Sequence, residues 1–350
     1  MNAPEVPAAP LLRVRDLRVT FTRGNRPVHA VNGLSYELDA GEIMAIIGES
    51  GSGKTVGART LMGLLPPSAH VSGSARLDGN ELVGLSDAQI RRRRGSEIAM
   101  VFQDPNRSLN PTMRIGLQIT EAIRQHSDLD RGASRERAIE LLRLVHLPAA
   151  DRRFHEYPHQ MSGGMRQRVV IAIALAGQPR VLIADEATSA LDVTTQAQIM
   201  SLLLELRDRL GMAIVLISHD LGLAASYAQH VVVMYAGRVV EYAPAGRLFA
   251  DVRMPYTRAL LGAIPQLERP PHGRLPVIAG QPPDPGALPE GCPFRPRCDL
   301  ATDRCAQPPP FLEHRPDHWW ACWNAEELPA AGDDATGGTA TVTDEDEVSR

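Results

Sequence analysis

The chain has 350 residues, of which 43% are hydrophobic and 22% charged, a composition typical of a folded protein with a full core and an appendage. Its formal net charge is −4 and aromatic residues make up 4%, which argues against the basic field and aromatic platforms of a nucleic-acid binder. Residues 1–12 show no secretory signal, and no apolar run approaches the roughly 18–20 residues that span a bilayer. We therefore expect a cytosolic protein without a nucleic-acid partner.

The first predicted elements are strands. Residues 11–47 alternate apolar and polar side chains, with a turn signal at 23–25, and this pattern predicts antiparallel strands. Phe21 lies in this stretch. Beside a bound nucleotide it would stack on the adenine ring, and the alternative is a role in the core or the hairpin.

A glycine-rich loop follows these strands. It fits the pattern G-x-x-x-x-G-K-[ST] and consists of Gly48, Glu49, Ser50, Gly51, Ser52, Gly53, Lys54 and Thr55. The apolar run 43–47 predicts a strand before it and residues 56–65 predict a helix after it, which is the setting that this phosphate-binding motif requires. Lys54 is the only lysine among the 37 lysine and arginine residues. Its retention at this position indicates a role that the compact ammonium group fills and a wide, planar guanidinium does not. The loop predicts binding of a nucleoside triphosphate, with the Thr55 hydroxyl on a magnesium ion.

Short local signals continue after the loop. Asp78-Gly79 predicts a hairpin between two strands. Ser86 and Gln89 predict a capped short helix, whose solvated end carries the four arginines at 91–94; this is favoured over a nucleic-acid patch.

The next stretch changes from a strand to helices. A buried strand is predicted at 98–102, directly before Gln103. From 112 to 147 the apolar spacing becomes helical, with Ser134 as the predicted N-cap of one helix.

Polar side chains then gather at the ends of predicted elements. Ser162, Gly163 and Gly164 open an apolar helix and predict a second anion-binding site. A predicted strand at 181–186 delivers Asp185 and Glu186 to its carboxyl end, where open α/β sheets bind ligands. We expect Asp185 to hold magnesium and Glu186 to orient or deprotonate a water molecule.

A second strand delivers a histidine to the same edge. The predicted strand 213–217 leads to His219, and the predicted helix at 194–210 lies between the two strands. A histidine beside these carboxylates favours a functional role over a purely structural one.

The cysteines form one group near the C-terminus, after a proline- and glycine-rich linker at 265–290: Cys292, Cys298, Cys305 and Cys322. In a reducing cytosol such a group favours a metal over two disulfides. The two C-x2-4-C pairs of structural zinc are absent, and thiolates alone also suit an iron–sulfur cluster. His314 and His318 are interpreted as packing or solvent residues, and residues 329–350 are predicted to be disordered.

The order of these motifs over about residues 11–265 resembles the nucleotide-binding subunit of ABC transporters. The resemblance implies an α/β fold with a RecA-like P-loop ATPase core, an antiparallel β subdomain and a helical subdomain at about 104–165. It implies ATP and Mg²⁺ as cofactors, with Thr55, Gln103 and Asp185 at the magnesium ion.

The same resemblance implies a role for each motif residue. Gln103 would link the magnesium ion and the attacking water to a membrane partner, and His219 would contact the γ-phosphate. Ser162, Gly163 and Gly164 would close over ATP held by an opposite subunit, with Asp192 at the seam. Met165 stands where many family members have glutamine, a departure that leaves the serine and glycines intact.

Within that family, residues 102–111, residues 157–168 and the cysteine-containing tail are similar to the D-type ATPases of dipeptide and oligopeptide permeases. That similarity implies a [4Fe-4S] cluster on the four cysteines, with zinc as the alternative. It also implies a second, F-type ATPase subunit, two membrane permease subunits and an extracytoplasmic substrate-binding protein, with this chain peripheral at the cytoplasmic face of the membrane. Nickel importers share the same build.

These inferences divide the chain into an N-terminal extension (1–10), an ABC nucleotide-binding domain (11–265), a C-terminal extension (266–328) and an acidic tail (329–350). Two other functions stay open. A non-transport ABC ATPase would usually carry two cassettes or a long coiled coil, and the chain shows one cassette and no sustained heptads. A redox-sensing protein that uses nucleotide as a switch is the second alternative.

Overall fold

The computed structural model describes residues 9–24, 26–189, 191–263 and 278–328. The predicted acidic tail and the first half of the predicted linker, residues 265–277, lie outside these residues. Among the described residues, the helices are all too short or too polar to cross a bilayer.

The strands fall into two sheets. In chain order they are β1 (Leu12–Arg23), β2 (Arg26–Leu38), β3 (Ile43–Ile47), β4 (Ala69–Leu77), β5 (Asn80–Glu81), β6 (Ile98–Val101), β7 (Val181–Asp185), β8 (Ala213–Ser218), β9 (His230–Tyr235), β10 (Arg238–Pro244), β11 (Leu312–Arg315) and β12 (His318–Trp320). One sheet has the order β2-β1-β4-β5, and the other has the order β11-β12-β10-β9-β3-β8-β7-β6.

The prediction of antiparallel strands over residues 11–47 is right for β1 and β2 and wrong for β3. β1 and β2 pair antiparallel, whereas β3 joins the large sheet, parallel to β8 and β9. The burial pattern gives the reason. All five residues of β3 are buried, which requires cover on both faces of the sheet, whereas the residues of β2 alternate in exposure.

Eleven α-helices lie among the described residues. They are α1 (Lys54–Leu61), α2 (Asp87–Arg93), α3 (Pro105–Ser108), α4 (Ile115–His126), α5 (Arg131–Leu144), α6 (Ala150–Arg153), α7 (Gly163–Ala174), α8 (Val193–Leu210), α9 (Leu221–Tyr227), α10 (Ala245–Ala250) and α11 (Pro255–Gly262). Apolar side chains of α4, α5, α7 and α8 form one core with the sheet, and the small sheet packs with α1 into a second core.

Two predicted helix ends are wrong. α1 ends at Leu61 rather than at residue 65, because Gly63 takes a left-handed backbone with φ +59 that a helix does not continue through. Asp130, not Ser134, caps α5, since its carboxylate accepts the N–H of Ala133 at 2.9 Å. Ser134 lies inside the helix and is buried.

Other local signals are confirmed. Asp78 and Gly79 both have positive φ, +51 and +77, and they turn β4 into β5. Ser86 and Gln89 form the capping box of α2.

The C-terminal part joins the large sheet at its edge. β12 pairs antiparallel with β10 through Glu241 and Trp320, and β11 pairs with β12. The His318 Nε2 atom lies 3.0 Å from a Glu241 carboxylate oxygen, and both side chains are fully buried. A third core contains β9, β10, α10 and α11 together with Cys292, Phe294 and Cys305.

Candidate functional site

The glycine-rich loop runs from the end of β3 to the start of α1. Gly48 has φ +148 and Gly53 has φ +100, values that side-chain-bearing residues rarely adopt. A Cβ atom on Gly48 would lie 2.1 Å from the Met234 carbonyl oxygen, and one on Gly53 would lie 2.3 Å from the Ala30 carbonyl oxygen. The loop therefore packs directly on the backbone of β9 and β2, and these glycines are required.

Lys54 is turned back onto the loop that precedes it. Its Nζ atom donates to the carbonyl oxygens of Gly48 at 2.6 Å and Glu49 at 2.9 Å, and to the Ser52 hydroxyl at 3.3 Å. Burial lowers the pKa of Lys54, while the carboxylates of Glu186 and Asp185 act against that shift. The loop thus holds a buried cation at its centre, which suits a phosphate ligand.

Thr55 and Asp185 form the second part of the site. The Thr55 hydroxyl donates to an Asp185 carboxylate oxygen at 2.9 Å, so the first turn of α1 meets the carboxyl end of β7. Burial raises the pKa of Asp185 above its usual range. A hydroxyl and a carboxylate side by side are the oxygen ligands that Mg²⁺ prefers.

Glu186 is the centre of a polar cluster at the same edge. Gln103 Nε2 donates to a Glu186 carboxylate oxygen at 2.8 Å, and His219 Nδ1 lies 3.6 Å from the same oxygen. Glu186 has φ +47, a conformation that costs a residue other than glycine about 1–3 kcal/mol and that is common at functional sites. The cluster brings together a carboxylate, an amide and an imidazole, the groups that position and deprotonate a water molecule.

The serine–glycine motif forms a separate group. Ser162 caps α7, and its hydroxyl accepts the N–H of Met165 at 3.4 Å. Asp192 caps α8 and accepts the backbone N–H of Thr195 at 2.9 Å. A Cβ atom on Gly164 would lie 2.6 Å from Thr195 Cγ2, so the starts of the two helices touch. Among the described residues, no hydrogen bond joins this group to the phosphate loop.

Phe21 lies on β1, where it pairs with Val28 and Ala69. Its ring is half-buried and packs against the core that joins the two sheets. Stacking on adenine stays a prediction.

The four cysteines lie in what we call the cysteine segment, residues 291–324. They are free thiols that line one small cavity, together with apolar side chains that include Phe294 and Trp323. The Cys292 N–H donates to the Cys305 carbonyl oxygen at 2.9 Å, so the backbone brings these two cysteines together. Burial raises the pKa of Cys298 to about 11 and that of Cys322 to about 12.

The predicted metal centre gains no support from the structure of the described residues. Within the part of the chain that the structure describes, no group of three or more His, Cys, Asp or Glu side chains is arranged to hold a metal ion. His318 is buried against Glu241, as expected for a packing residue.

One contact of the site was missed at the sequence level. Glu49, inside the phosphate loop, forms a bidentate ion pair with Arg297 of the cysteine segment, with N–O distances of 2.7 and 2.9 Å. The two residues are 248 positions apart, and neither belongs to a recognisable spacing pattern with the other. Sequence reasoning had no signal from which to find this pair.

Two family models match the chain. Residues 31–189 match the model described as ABC transporter, and residues 240–305 match the model described as oligopeptide/dipeptide transporter, C-terminal region.

Proteins similar to this chain include two transport ATP-binding proteins. The oligopeptide transport ATP-binding protein OppD of Mycobacterium tuberculosis is 50% identical over 91% of this chain and 52% of its own length. The chain therefore spans about half the length of that relative. The oligopeptide transport ATP-binding protein OppD of Escherichia coli K12 is 46% identical over 91% of this chain and 94% of its own length.

A solved structure shares the fold. It is a dimeric ATP-binding cassette in a post-hydrolysis state with ADP and Pi, and it superposes with a TM-score of 0.60 at 28% identity. The match covers 67% of this chain and 98% of that one.

Proposed function

Since this chain belongs to the ABC transporter ATP-binding family, we propose that it binds and hydrolyses ATP as a subunit of a peptide importer. The observation that carries the proposal is the edge of the large sheet where Lys54, Thr55, Asp185 and Glu186 meet, with Gln103 and His219 on Glu186. Side chains that suit phosphate, magnesium and water are therefore neighbours at this edge of the sheet.

Each residue of this edge has a proposed task. The loop N–H groups and Lys54 bind the phosphates, with all eight residues 48–55 in contact with the nucleotide. The oxygens of Thr55 and Asp185 fit a magnesium ion, with Gln103 as a further ligand, and the ion when bound supplies positive charge to the phosphates. Glu186 accepts the proton of the attacking water, and His219 holds the γ-phosphate. Phe21 stacks on the adenine.

Among the described residues no hydrogen bond joins the serine–glycine group to the phosphate loop, which supports a composite site. In our proposal Ser162, Gly163 and Gly164 contact ATP held by a homologous ATPase subunit, and Asp192 lies at that seam. Closure around two nucleotides then favours one conformation of the pair, and hydrolysis removes the preference. The dimeric form of the similar ATP-binding cassette supports this arrangement.

The proposed partners follow from peptide import. They are a second ATPase subunit of F type, two membrane permease subunits, and a substrate-binding protein that acts through the complex. The chain would be peripheral, at the cytoplasmic face of the membrane. The choice of peptide over nickel rests on the match to the oligopeptide/dipeptide C-terminal region and on the two relatives named above.

We also propose that the cysteine segment binds a [4Fe-4S] cluster. The four thiols share one cavity, and no His, Asp or Glu is among the described residues that line it. The C-x2-4-C pairs that are typical of structural zinc are absent from the sequence, in which the four cysteines are spaced C-x5-C-x6-C-x16-C. The Asn324 N–H donates to the Cys322 sulfur at 3.4 Å, a type of contact that tunes iron–sulfur clusters.

Two experiments test these proposals separately. Purification of the tagged native chain from detergent-solubilised membranes should bring down two permease subunits and a second ATPase subunit, identified by mass spectrometry. Recovery of the chain without any permease subunit would contradict the transport function. Iron, sulfide and zinc analysis of protein purified without oxygen should give about four irons and four sulfides per chain. One zinc, or no metal, would overturn the cluster.

A further inference from the structure

Arg297 is a buried arginine whose charged partner lies in the phosphate loop. It belongs to the turn Arg295–Arg297, directly before Cys298, and its side chain is 4% exposed. Its two terminal nitrogens donate to the two carboxylate oxygens of Glu49 at 2.7 and 2.9 Å. Its Nε atom donates to the Ala279 carbonyl oxygen at 2.8 Å, so all three nitrogens are engaged. Such a planar pair fixes both the position and the orientation of the carboxylate.

Glu49 is held from three directions. Besides the ion pair, its backbone N–H donates to the Tyr256 hydroxyl at 2.7 Å, and its carbonyl oxygen accepts Lys54 Nζ at 2.9 Å. Tyr256 in turn packs against Phe294, with ring centroids 5.4 Å apart. A displacement of the cysteine segment therefore reaches Lys54 through a single residue.

The charge of Glu49 adds a second reason for the pair. A carboxylate in a loop that binds a triphosphate has the same sign as its ligand, and like charges in a partly buried site repel strongly. Arg297 neutralises that carboxylate through the bidentate ion pair, while Lys54 donates to the backbone carbonyl oxygens of Gly48 and Glu49. Without Arg297, Glu49 would oppose nucleotide binding.

We propose that Arg297 is a positioning residue for nucleotide, through which the cysteine segment and the phosphate loop are coupled. The inference rests on the proposed role of the loop in ATP binding. Because energetic coupling between two sites is reciprocal, nucleotide must also stabilise the cysteine segment.

The first test compares variants by their dissociation constant for the ATP analogue AMP-PNP with Mg²⁺. Arg297→Met should weaken binding about 10-fold, a value within the usual range of coupling between sites. Adding Glu49→Gln to that variant should restore most of the affinity, because the uncompensated charge is gone. If Arg297→Met binds like the wild type, or if the double variant binds as weakly as the single one, the proposal is wrong.

A matched control comes from another ion pair of the same segment. Arg258 on α11 lies 3.2 Å from Asp299, next to Cys298, and does not contact the loop. Arg258→Gln should leave the nucleotide affinity unchanged. If it weakens the affinity as much as Arg297→Met does, the effect would not depend on the Arg297–Glu49 pair, and the proposal would be wrong. If Arg297→Met does not fold, Arg297→Lys replaces it, since lysine keeps the positive charge but cannot form the bidentate hydrogen bonds to Glu49. It should bind more weakly than the wild type, and equal affinity would contradict the inference.

The second test reads the coupling in the opposite direction. Hydrogen exchange measured by mass spectrometry should show slower exchange of residues 292–305 in the wild type when Mg²⁺ and AMP-PNP are added. This protection should vanish in Arg297→Met at saturating nucleotide. Equal protection in the variant would overturn the role of Arg297. A wild type that does not bind the nucleotide at all would instead overturn the proposed function, so the two failures are distinguishable.

Discussion

The phosphate loop and the cysteine segment reach their geometry in opposite ways. The loop is made of eight consecutive residues, and Lys54 bonds to the backbone of its own neighbours. The cysteine segment collects thiols from positions as far apart as Cys292 and Cys322 around one cavity, with mostly irregular backbone between them. A site built from local backbone conformation can be read from consecutive residues, whereas a site assembled by packing depends on the rest of the fold.

The two regions also differ in charge. In the loop, burial lowers the pKa of Lys54, and the carboxylates of Glu186, Asp185 and Glu49 act against that shift. In the cysteine segment, burial raises the pKa of Cys292, Cys298 and Cys322, which favours the neutral thiol. The proposed cluster would have to displace these protons. The variants described next distinguish the phosphate loop from the cysteine segment by their effects on nucleotide binding and on iron content.

The largest effect should come from Glu186→Gln. The amide cannot accept a proton from water, so ATP hydrolysis should slow by about 10²–10⁴-fold while ATP binding persists. Steady-state phosphate release and a separate binding titration measure the two quantities. Glu205→Gln, on the exposed face of α8, is the matched control and should hydrolyse ATP normally. If Glu186→Gln hydrolyses ATP at the wild-type rate, Glu186 is not the general base.

A smaller effect is expected from Lys54→Ala. Loss of the buried cation removes charged hydrogen bonds to phosphate, which should weaken ATP binding about 10- to 100-fold. Lys54→Arg should also lose affinity, because a planar guanidinium does not fit a pocket lined by two carbonyl oxygens. Titration with a fluorescent ATP analogue measures both. Unchanged affinity in Lys54→Ala would contradict the phosphate-binding role of the loop.

Cys305→Ser should act mainly on the other region. Removing one of the four proposed thiolate ligands should lower the iron content from about four per chain to less than one. Nucleotide affinity should fall by less than in Lys54→Ala. Iron analysis and the same titration give both numbers, and an iron content that stays at the wild-type value would exclude Cys305 as a ligand.

The smallest effect concerns Glu42, directly before β3, and His230, the first residue of the neighbouring strand β9. The Glu42 carboxylate hydrogen-bonds to His230 and raises the pKa of this histidine above its unfolded value of about 6.5. The pair therefore stabilises the folded chain fully below pH 6.5, and the contribution is lost as the pH rises through the folded pKa. Because His230 is 35% exposed, we expect less than about 1 kcal/mol. Urea unfolding of the wild type and His230→Gln at pH 5.5 and pH 8.5 should show the larger difference at pH 5.5, and a larger difference at pH 8.5 would contradict it.

The sequence predicted the strand–loop–helix around Lys54 and the carboxylates at the end of β7, since each depends on consecutive residues. It failed where distant parts decide the outcome. β3 pairs in the large sheet rather than with β1 and β2, because the large sheet buries both of its faces. Asp130 rather than Ser134 caps α5, because the Asp130 carboxylate accepts a backbone N–H of the first helical turn. The contact of Arg297 with Glu49 depends on the docking of the C-terminal part on β10, which no local pattern encodes.

ATP-driven peptide uptake by the reconstituted transporter tests the central claim most directly. The complex that contains this chain is placed in vesicles with ATP on the side of the chain, and accumulation of a labelled peptide is measured beside that of Ni²⁺. Our account predicts peptide uptake that requires ATP and is lost in the Glu186→Gln variant. Nickel uptake without peptide uptake, or peptide uptake that Glu186→Gln leaves unchanged, would contradict it.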